Sequence, residues 1–357
     1  MNCYLYAGAW SGAKRIANGI QAFDYDTDAK TLTYKGTYGE YQSMSVVLID
    51  EDLLFACIES KKEDLVVTYR ITADGALEPL DAVHTGGLSI ADLTLDTENK
   101  YLFTCNFMSC SVSMIRYDEN GKMTLTDCFQ VTDPGSFACG YSTVERQDKA
   151  FTHCVRMMPD GKHLCLCDVG NDKIYVLKID AEQGKMVLLE DHTVTIDPGE
   201  GARQVVFSKD GRFAYVNTEM GNTVYVLSVG EDSSLKILQK VETLKPGIEN
   251  PPKGWTSTIV MSRNGRFLYV GNRGQNNIVG YSIGEDGLLT NIGFFDCYGD
   301  SPRGLAFGAD DQVLFVSCNL SGTIAMIVYH EESGRLGECL QLVENVPGSA
   351  SVAWCPV

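Results

Sequence analysis

The sequence lacks the features that mark several large protein classes. It has no run of about 18 apolar residues, and its N-terminus, MNCYLYAGAW, has neither the basic segment nor the apolar core of a signal peptide. Proline is scarce, at 10 of 357 residues, and hydrophobic residues (44%) outnumber charged ones (21%) two to one, which excludes a disordered chain. We therefore expect an ordered cytoplasmic protein with no membrane partner.

Basic residues and metal-binding patterns are also in short supply. Lys and Arg number 29 against 47 Asp and Glu, a formal charge of −18, which argues against nucleic acid as a partner. The 13 cysteines include no CxxC pair, and no His/Asp group has metal-ligand spacing, so we expect neither a metal nor another cofactor. Cys165 and Cys167 alternate along an apolar run, and the scattered thiols are typical of free, buried cysteines in a reducing compartment.

A repeated unit organises the whole chain. Its landmark is a polar or glycine turn followed closely by Leu or Met, as in DGALEPLD and DGLLTNIG, and it recurs at intervals of 45, 46, 63, 49, 53 and 48 residues. The seven landmark residues are Leu32, Leu77, Met123, Met186, Leu235, Leu288 and Leu336. Between them lie short alternating runs rich in Val, Ile, Tyr, Phe and Thr, with no helical periodicity. The length alone would suggest two domains, but such a repeat predicts one.

Each unit offers four strands, and seven such units predict an all-β fold, a seven-bladed β-propeller of four-stranded antiparallel blades in a single domain, residues 1–357. The chain ends show how the ring closes. The N-terminal CYLYAGA matches the second strand of a unit and the C-terminal SASVAWCPV matches the first. We expect the C-terminal strand to be innermost in the blade whose other strands come from residues 2–38, so that deleting either terminus destabilises the whole protein.

Two polar columns run across the repeats. When the units are aligned on the acidic or Asn residue of their first turn, the third position of the innermost strand is mostly polar, and a second polar column follows the second strand. The first column is Ser43, Ser89, His153, Arg203, Ser257, Arg303 and Ala350, and the second is Glu59, Asn106, Glu219, Arg273 and Asn319. Antiparallel pairing brings both columns to one mouth of the central channel. Two long insertions, residues 130–150 and 245–255, precede site strands and are expected to reach the same mouth.

Structural roles compete with functional ones at these positions. The arginines suit either ion pairs between blades or bidentate binding of phosphate or carboxylate. The serines suit hydrogen-bonding spacers better than nucleophiles, because the sequence has no GxSxG motif. His153 differs from the other histidines because it stands in the polar column, which favours a contact with ligand.

The motifs resemble those of the lactonase family of seven-bladed propellers, which includes the bacterial 6-phosphogluconolactonases, and the similarity covers essentially the whole chain. The matching segments are ERQ (Arg146, Gln147) followed by His153, GARQ (Arg203), TE (Glu219), NRG (Arg273) and SPRG (Arg303). The chain departs from the family pattern at four positions: Phe151 and Gln204 replace histidines, while Gly304 and Thr258 replace acids. The family also resembles fungal carboxymuconate-lactonising propellers, which share the set of His, Arg, Glu and a second Arg.

The resemblance implies a metal-independent lactonase acting on a small anionic sugar lactone. The resulting hypothesis makes His153 the general base, with Glu219 orienting it and Arg203 and Arg273 stabilising the oxyanion or product carboxylate. The phosphate would be held by Arg146 and Arg303. The residues expected to complete the substrate site are Gln147, Glu59, Asn106 and Ser257.

Three functions are compatible with the sequence. They are hydrolysis of a sugar δ-lactone, above all 6-phosphogluconolactone, formation of a lactone from an unsaturated dicarboxylate, and binding of a metabolite without catalysis. A monomer or weak homodimer is expected. An acidic channel mouth would argue against the phosphosugar.

Overall fold

The computed structural model describes residues 2–11, 17–59, 64–137, 140, 145–251 and 254–357, and these form seven antiparallel sheets. The predicted all-β, seven-bladed propeller is confirmed. Helical structure in the described ranges amounts to two three-residue 3-10 turns, Glu145–Gln147 and Glu190–His192.

The first four blades are built mainly from the N-terminal half of the chain. Their strands are β1 (Asn2–Ala9), β2 (Asn18–Asp26), β3 (Thr31–Gln42), β4 (Met44–Asp50), β5 (Leu53–Ile58), β6 (Leu65–Ile71), β7 (Leu77–His84), β8 (Ile90–Asp96), β9 (Tyr101–Asn106), β10 (Ser111–Tyr117), β11 (Met123–Gln130), β12 (Thr152–Met157), β13 (His163–Asp168), β14 (Lys173–Asp180), β15 (Lys185–Leu188) and β16 (Val194–Thr195).

The last three blades and the closing strand follow. Their strands are β17 (Ala202–Phe207), β18 (Phe213–Thr218), β19 (Thr223–Val229), β20 (Leu235–Glu242), β21 (Thr256–Met261), β22 (Phe267–Asn272), β23 (Asn277–Ile283), β24 (Leu289–Asp296), β25 (Pro302–Phe307), β26 (Val313–Cys318), β27 (Thr323–His330), β28 (Arg335–Val343) and β29 (Ser349–Pro356).

The ring closes as the sequence predicts. Blade 1 has the order β29-β1-β2-β3, with the C-terminal strand innermost and paired to β1 from Cys3↔Pro356 to Ala9↔Ser349. Blades 2 to 7 begin with the inner strands β4, β8, β12, β17, β21 and β25, and β29 contacts both β4 and β25. Blade 4 departs from four strands, because the short β16 pairs with β14 in addition to β13 and β15.

The repeated turn in the sequence is where neighbouring blades lock together. Tyr215 and Tyr269 are fully buried on the second strands of blades 5 and 6. Their hydroxyls donate to the carbonyls of Gly287 and Gly334, each in the turn before the outer strand of the next blade. Gly287 has φ +78°, and a Cβ there would lie 2.4 Å from the ring of Phe213. Glycine is required because the turn needs a left-handed residue and the ring leaves no room for a side chain.

The core lies between the blades. Apolar side chains from adjacent sheets form separate clusters, of which one joins blades 4 and 5 and includes Cys154, Cys165 and Cys167. Cys165 and Cys167 share one face, as their alternation predicts, and all twelve cysteines within the described ranges are free. Cys139 lies outside the described residues. Among the described residues no helix is long and apolar enough to cross a membrane.

Candidate functional site

A β-bulge places the first polar column at the channel mouth. In each inner strand the pairing to the second strand skips at one point: Thr152 and Cys154 pair with consecutive residues of β13, and His153 between them is unpaired. The same skip leaves Arg203 and Arg303 unpaired in blades 5 and 7. A bulge turns its extra residue away from the pleat, so these side chains point out of the sheet and into the channel.

The alignment on turn residues is wrong by two positions in blades 2 and 3. There the bulge falls at Ser45 and Ala91, rather than at Ser43 and Ser89. Blade 2 turns from β4 to β5 with only two residues between the paired Asp50 and Leu53, whereas blades 4 to 7 use longer turns. The acidic residue that served as the alignment point is therefore not equivalent across the blades.

Glu219 is the centre of the site. It follows β18, its side chain is 2% exposed, and its backbone is held by a bond from its N–H to the carbonyl of Gly201. Its Oε1 lies 3.0 Å from Nη2 of Arg146 and 3.4 Å from Nη2 of Arg273, and its Oε2 lies 3.5 Å from Nε of Arg203. One buried carboxylate therefore neutralises only part of the charge of three guanidinium groups. These three arginines, Glu219 and His153 are called the site cluster below.

His153 adjoins the same carboxylate. Its Nε2 lies 3.7 Å from Oε2 of Glu219, which is beyond hydrogen-bonding distance. Its Nδ1 is buried and has no hydrogen-bond partner among the described residues, and the same holds for Oε2 of Glu219 and Nε of Arg203. Buried polar atoms without partners are costly, and they concentrate at sites that bind a polar ligand.

Burial and the arginines set the protonation states of the cluster. Burial, followed by the charge of Arg203, lowers the pKa of His153 well below 6.5, although Glu219 acts in the opposite direction. Burial alone would raise the pKa of Glu219, but Arg146 and Arg273 outweigh it, so its pKa is well below the ordinary value. At pH 7 His153 is neutral and Glu219 is ionised.

The arginines are themselves poorly compensated. Burial and the neighbouring Arg273 lower the pKa of Arg203 to about 9, against the effect of Glu219. The Arg203 guanidinium still carries its charge at pH 7, and it donates through Nη1 to the carbonyl of Ser257. Arg273 is anchored by bonds from Nε and Nη2 to the carbonyls of Trp255 and Thr256, at 3.2 and 2.8 Å. An anion placed here would relieve their mutual repulsion.

Aromatic rings frame the cluster. The guanidinium of Arg146 is sandwiched between Phe107 and Trp255, with its central carbon 5.1 and 5.0 Å from the two ring centroids. Phe107 also meets the edge of His153 at 5.7 Å and stacks on Phe151 at 4.9 Å. Phe151, which stands where the family pattern has a histidine, thus supports the ring that positions both Arg146 and His153. Stacking of this kind holds a long side chain in one conformation.

A fourth arginine, on the inner strand of blade 7, lies at the same mouth. Nη2 of Arg303 lies 3.2 and 3.0 Å from the two carboxylate oxygens of Glu59, and its guanidinium stacks on Trp10 at 4.8 Å. The next residue is Gly304, where a Cβ would lie 2.5 Å from the carbonyl oxygen of Ala350. The close contact between blades therefore leaves no room for a side chain where the family pattern has an acid.

The channel provides a cavity beside these residues. Its volume is about 260 Å³, and His153, Arg203, Arg303 and Glu59 are among the residues that line it. The site cluster and the Arg303–Glu59 pair together contain four arginines and two glutamates, a net charge of +2 with His153 neutral. This end of the channel is thus positive in a chain whose formal charge is −18. As far as the described residues form it, the mouth is not acidic, which is compatible with an anionic ligand.

Three of the predicted substrate residues form hydrogen bonds within the protein, although Oε1 of Gln147 has no partner among the described residues. The Nε2 of Gln147 donates to Asp172 and to the carbonyl of Val169. The Nδ2 of Asn106 donates to the hydroxyls of Ser111 and Ser113, and the hydroxyl of Ser257 donates to the carbonyls of Gly271 and Pro302. All three side chains are fully buried, and none lines the channel cavity. Their chemistry holds blades and loops together, and we do not retain them as ligand contacts.

The structure also brings in residues that the two columns did not include. Phe107, Trp10 and Trp255 frame the arginines, and the carboxylate of Asp172 accepts bonds from Gln147 and from the backbone N–H of Gly201. Two sequence features could have indicated these aromatic residues. Phe107 directly follows Asn106 of the second polar column, and the chain has only three tryptophans. Asp172 carries no such signal, because its role depends on two loops distant in sequence.

The fold and the site define a propeller with a positively charged, partly unsatisfied polar cluster at one end of its channel. The chain belongs to the lactonase family of seven-bladed β-propellers, whose family model matches residues 4–354. A 6-phosphogluconolactonase of Bacillus subtilis is 26% identical over 93% of this chain and 92% of its own length. A 6-phosphogluconolactonase of Formosa agariphila is 28% identical over 98% of both chains. The periplasmic gluconolactonase PpgL of Pseudomonas aeruginosa superposes with a TM-score of 0.90 at 25% identity, over the full length of both chains.

Proposed function

We propose that the protein hydrolyses a sugar δ-lactone, with 6-phosphogluconolactone as the first substrate to test. The observation that carries the proposal is the buried Glu219 shared by three arginines, with a neutral His153 at 3.7 Å. Hydrolysis of a lactone needs a base for water, a donor for the developing oxyanion and an anchor for the rest of the substrate. The names of the two bacterial relatives support the same reaction class.

The proposed reaction begins with water at the end of the channel. A water molecule hydrogen-bonded to both Nε2 of His153 and Oε2 of Glu219 is oriented by two acceptors at once. His153 takes its proton as the oxygen attacks the lactone carbonyl carbon. The carbonyl oxygen then becomes an oxyanion, which the guanidinium groups of Arg203 and Arg273 stabilise.

Collapse of the tetrahedral intermediate opens the ring. The bond between the carbonyl carbon and the ring oxygen breaks, and protonated His153 returns its proton to the departing alkoxide, leaving a hydroxyl group and a carboxylic acid that ionises. Glu219 stabilises the imidazolium in between. Arg146 and Arg303 hold the anionic tail, and no step requires a metal ion. In the described residues no group of three His, Cys, Asp or Glu side chains is arranged to hold one.

The proposal is tested by following 6-phosphogluconolactone and gluconolactone with purified protein. Spontaneous hydrolysis is measured in parallel, since these lactones open in water without a catalyst. We expect turnover above this background that is lost in His153→Ala. Lactone formation from an unsaturated dicarboxylate without hydrolysis would favour the cyclase instead. Stabilisation by phosphosugars in a thermal-shift assay without turnover would favour a binding protein.

A further inference from the structure

The ion pair between Glu59 and Arg303 occupies the place where an anionic tail would bind. Glu59 follows the second strand of blade 2 and Arg303 lies on the inner strand of blade 7, so the pair reaches across blade 1 at the channel mouth. Both side chains are 14% exposed, and both carboxylate oxygens contact the same Nη2 atom. Of the arginines assigned to the tail, Arg303 therefore has a counter-ion of its own.

The charges at the mouth are consequently divided. Around Glu219 three arginines leave an excess of two positive charges; Arg203 and Arg273 are expected to face the lactone carbonyl, and Arg146 to face the tail. On the side of Arg303 the charges of the two described partners, Arg303 and Glu59, cancel. A doubly charged phosphate arriving there must displace Glu59 from Arg303 and then lie close to its carboxylate. An uncharged hydroxyl group does not, because a carboxylate accepts hydrogen bonds from hydroxyls.

We propose that Glu59 is a specificity-determining residue that lowers the preference of the site for a phosphorylated over an unphosphorylated sugar lactone. This inference rests on the proposed function. The packing supports this inference, because Arg303 is held against Trp10 at 4.8 Å and its guanidinium is fixed. When a phosphate binds to Arg303, the carboxylate of Glu59 is therefore the group that must move.

The test is Glu59→Gln, which keeps the shape and one acceptor for Arg303 while removing the negative charge. We expect the KM for 6-phosphogluconolactone to fall about tenfold or more, since a like charge next to a dianion in a partly buried site is strongly repulsive. The KM for gluconolactone should change by a much smaller factor, because the amide keeps one oxygen that can accept a bond from a hydroxyl, and the readout is the ratio of the two KM values. Glu182→Gln is the matched control, because Glu182 lies exposed on a turn of blade 4 and the variant makes the same change in total charge.

A second readout does not depend on turnover. Calorimetry gives the affinities for 6-phosphogluconate and for gluconate. Glu59→Gln should raise the ratio of the first affinity to the second about tenfold. A double-mutant cycle with Arg303→Gln sharpens the test, because loss of Arg303 should cost more phosphate affinity when Glu59 is already neutral. Glu59→Ala repeats the measurement if the first variant unfolds.

The outcomes separate this inference from the proposed function. If neither lactone is hydrolysed but Glu59→Gln still tightens 6-phosphogluconate binding, the function fails and the role of Glu59 in selecting against dianions stands. If both lactones are hydrolysed and the ratio does not move, or if phosphate binding weakens, the inference is overturned while the function stands. Weakened binding would show that Glu59 instead serves to position Arg303.

Discussion

The Nε2 atom of His153 lies 3.7 Å from Oε2 of Glu219, and that oxygen, like Nδ1 of the same imidazole, has no hydrogen-bond partner among the described residues. The carboxylate is held at that distance because it is drawn towards Arg146 and Arg273 through its other oxygen. The two groups are thus close enough to share a ligand and too far apart to satisfy each other. That separation is the basis of the predictions on catalysis.

Removing His153 should abolish most of the activity without unfolding the protein. A positioned general base contributes about 10²–10⁴-fold to a rate, so His153→Ala should lower kcat for lactone hydrolysis by about that factor. The matched control is His163→Ala, because His163 starts the next strand of the same blade and pairs with Asp160 in a turn. Unchanged kcat in His153→Ala, measured over the spontaneous rate, would show that another group activates the water.

The pH dependence of the rate follows from the protonation state of His153. A base must be unprotonated, and burial together with Arg203 lowers the pKa of this imidazole well below 6.5. The rate should therefore stay on its plateau as the pH falls through 6.5 and decline only at lower pH. Measuring kcat/KM between pH 5 and 8, with the background subtracted, tests this; a midpoint near about 6.5 would indicate a base in contact with solvent.

Neutralising Glu219 should destabilise the fold as well as the site. Glu219→Gln leaves three arginines around a neutral amide, and removal of one partner from a buried ion pair costs about 3–5 kcal/mol of unfolding free energy. The pKa of Glu219 is lowered in the folded state, so its stabilisation is complete above the unfolded value of about 4.3 and is lost as the pH falls towards the folded value. Chemical denaturation should accordingly show a larger difference between wild type and variant at pH 7 than at the lowest pH where both remain folded.

A companion measurement distinguishes charge from packing. Phosphate should stabilise Glu219→Gln more than wild type, because an anion can replace part of the missing carboxylate charge. Equal stabilisation of both proteins would mean that the arginines do not share a common anion site.

Much of this architecture was predictable because repetition averages out local ambiguity. Seven copies of a turn before Leu or Met fixed the number of blades, and the pairing of Ala7 with Val352 confirms the closure inferred from the chain ends. The positions of His153, Arg203 and Arg303 followed from the same alignment.

The failures have physical causes. Ser43 and Ser89 were misaligned because turn length varies between blades, and a shift in a turn carries through the whole strand. Asn106 and Ser257 share a column with site residues, but whether a polar side chain faces the channel or bonds a neighbouring strand depends on packing that one sequence does not encode locally.

Asp172 should act as a positioning residue. Its Oδ1 accepts from Nε2 of Gln147 at 2.8 Å and from the N–H of Gly201 at 2.6 Å, and its Oδ2 accepts from the N–H of Gly199 at 3.0 Å. It therefore links the turn that carries Arg146 to the segment before Arg203. Asp172→Asn keeps the size of the side chain, and asparagine tolerates the left-handed φ of 55° at this position. Its NH2 group, however, must face one of these N–H donors, and that hydrogen bond is lost.

We expect Asp172→Asn to lose about 1–3 kcal/mol of stability and, in addition, to raise the KM more than it lowers kcat. The KM effect separates positioning of the arginines from simple loss of stability. Asp133→Asn is the comparison, since Asp133 accepts bonds from Lys173 and Tyr175 and does not line the channel cavity. A variant that is less stable but has unchanged kinetics would leave Asp172 with a structural role only.

Deleting the C-terminal strand should destabilise every blade rather than one. β29 pairs along β1 and contacts the inner strands β4 and β25, so its removal exposes the edge of β1 and opens the ring. We expect a protein ending at residue 348 to show a broad, much lower thermal transition, or none. Val357 is 69% exposed and lies beyond the strand. Its removal alone should change Tm by no more than about a degree or two from the wild-type value, as an ordinary surface substitution does. A sharp transition close to that of wild type in the shorter protein would mean that the ring is held by its other interfaces and not by this pairing.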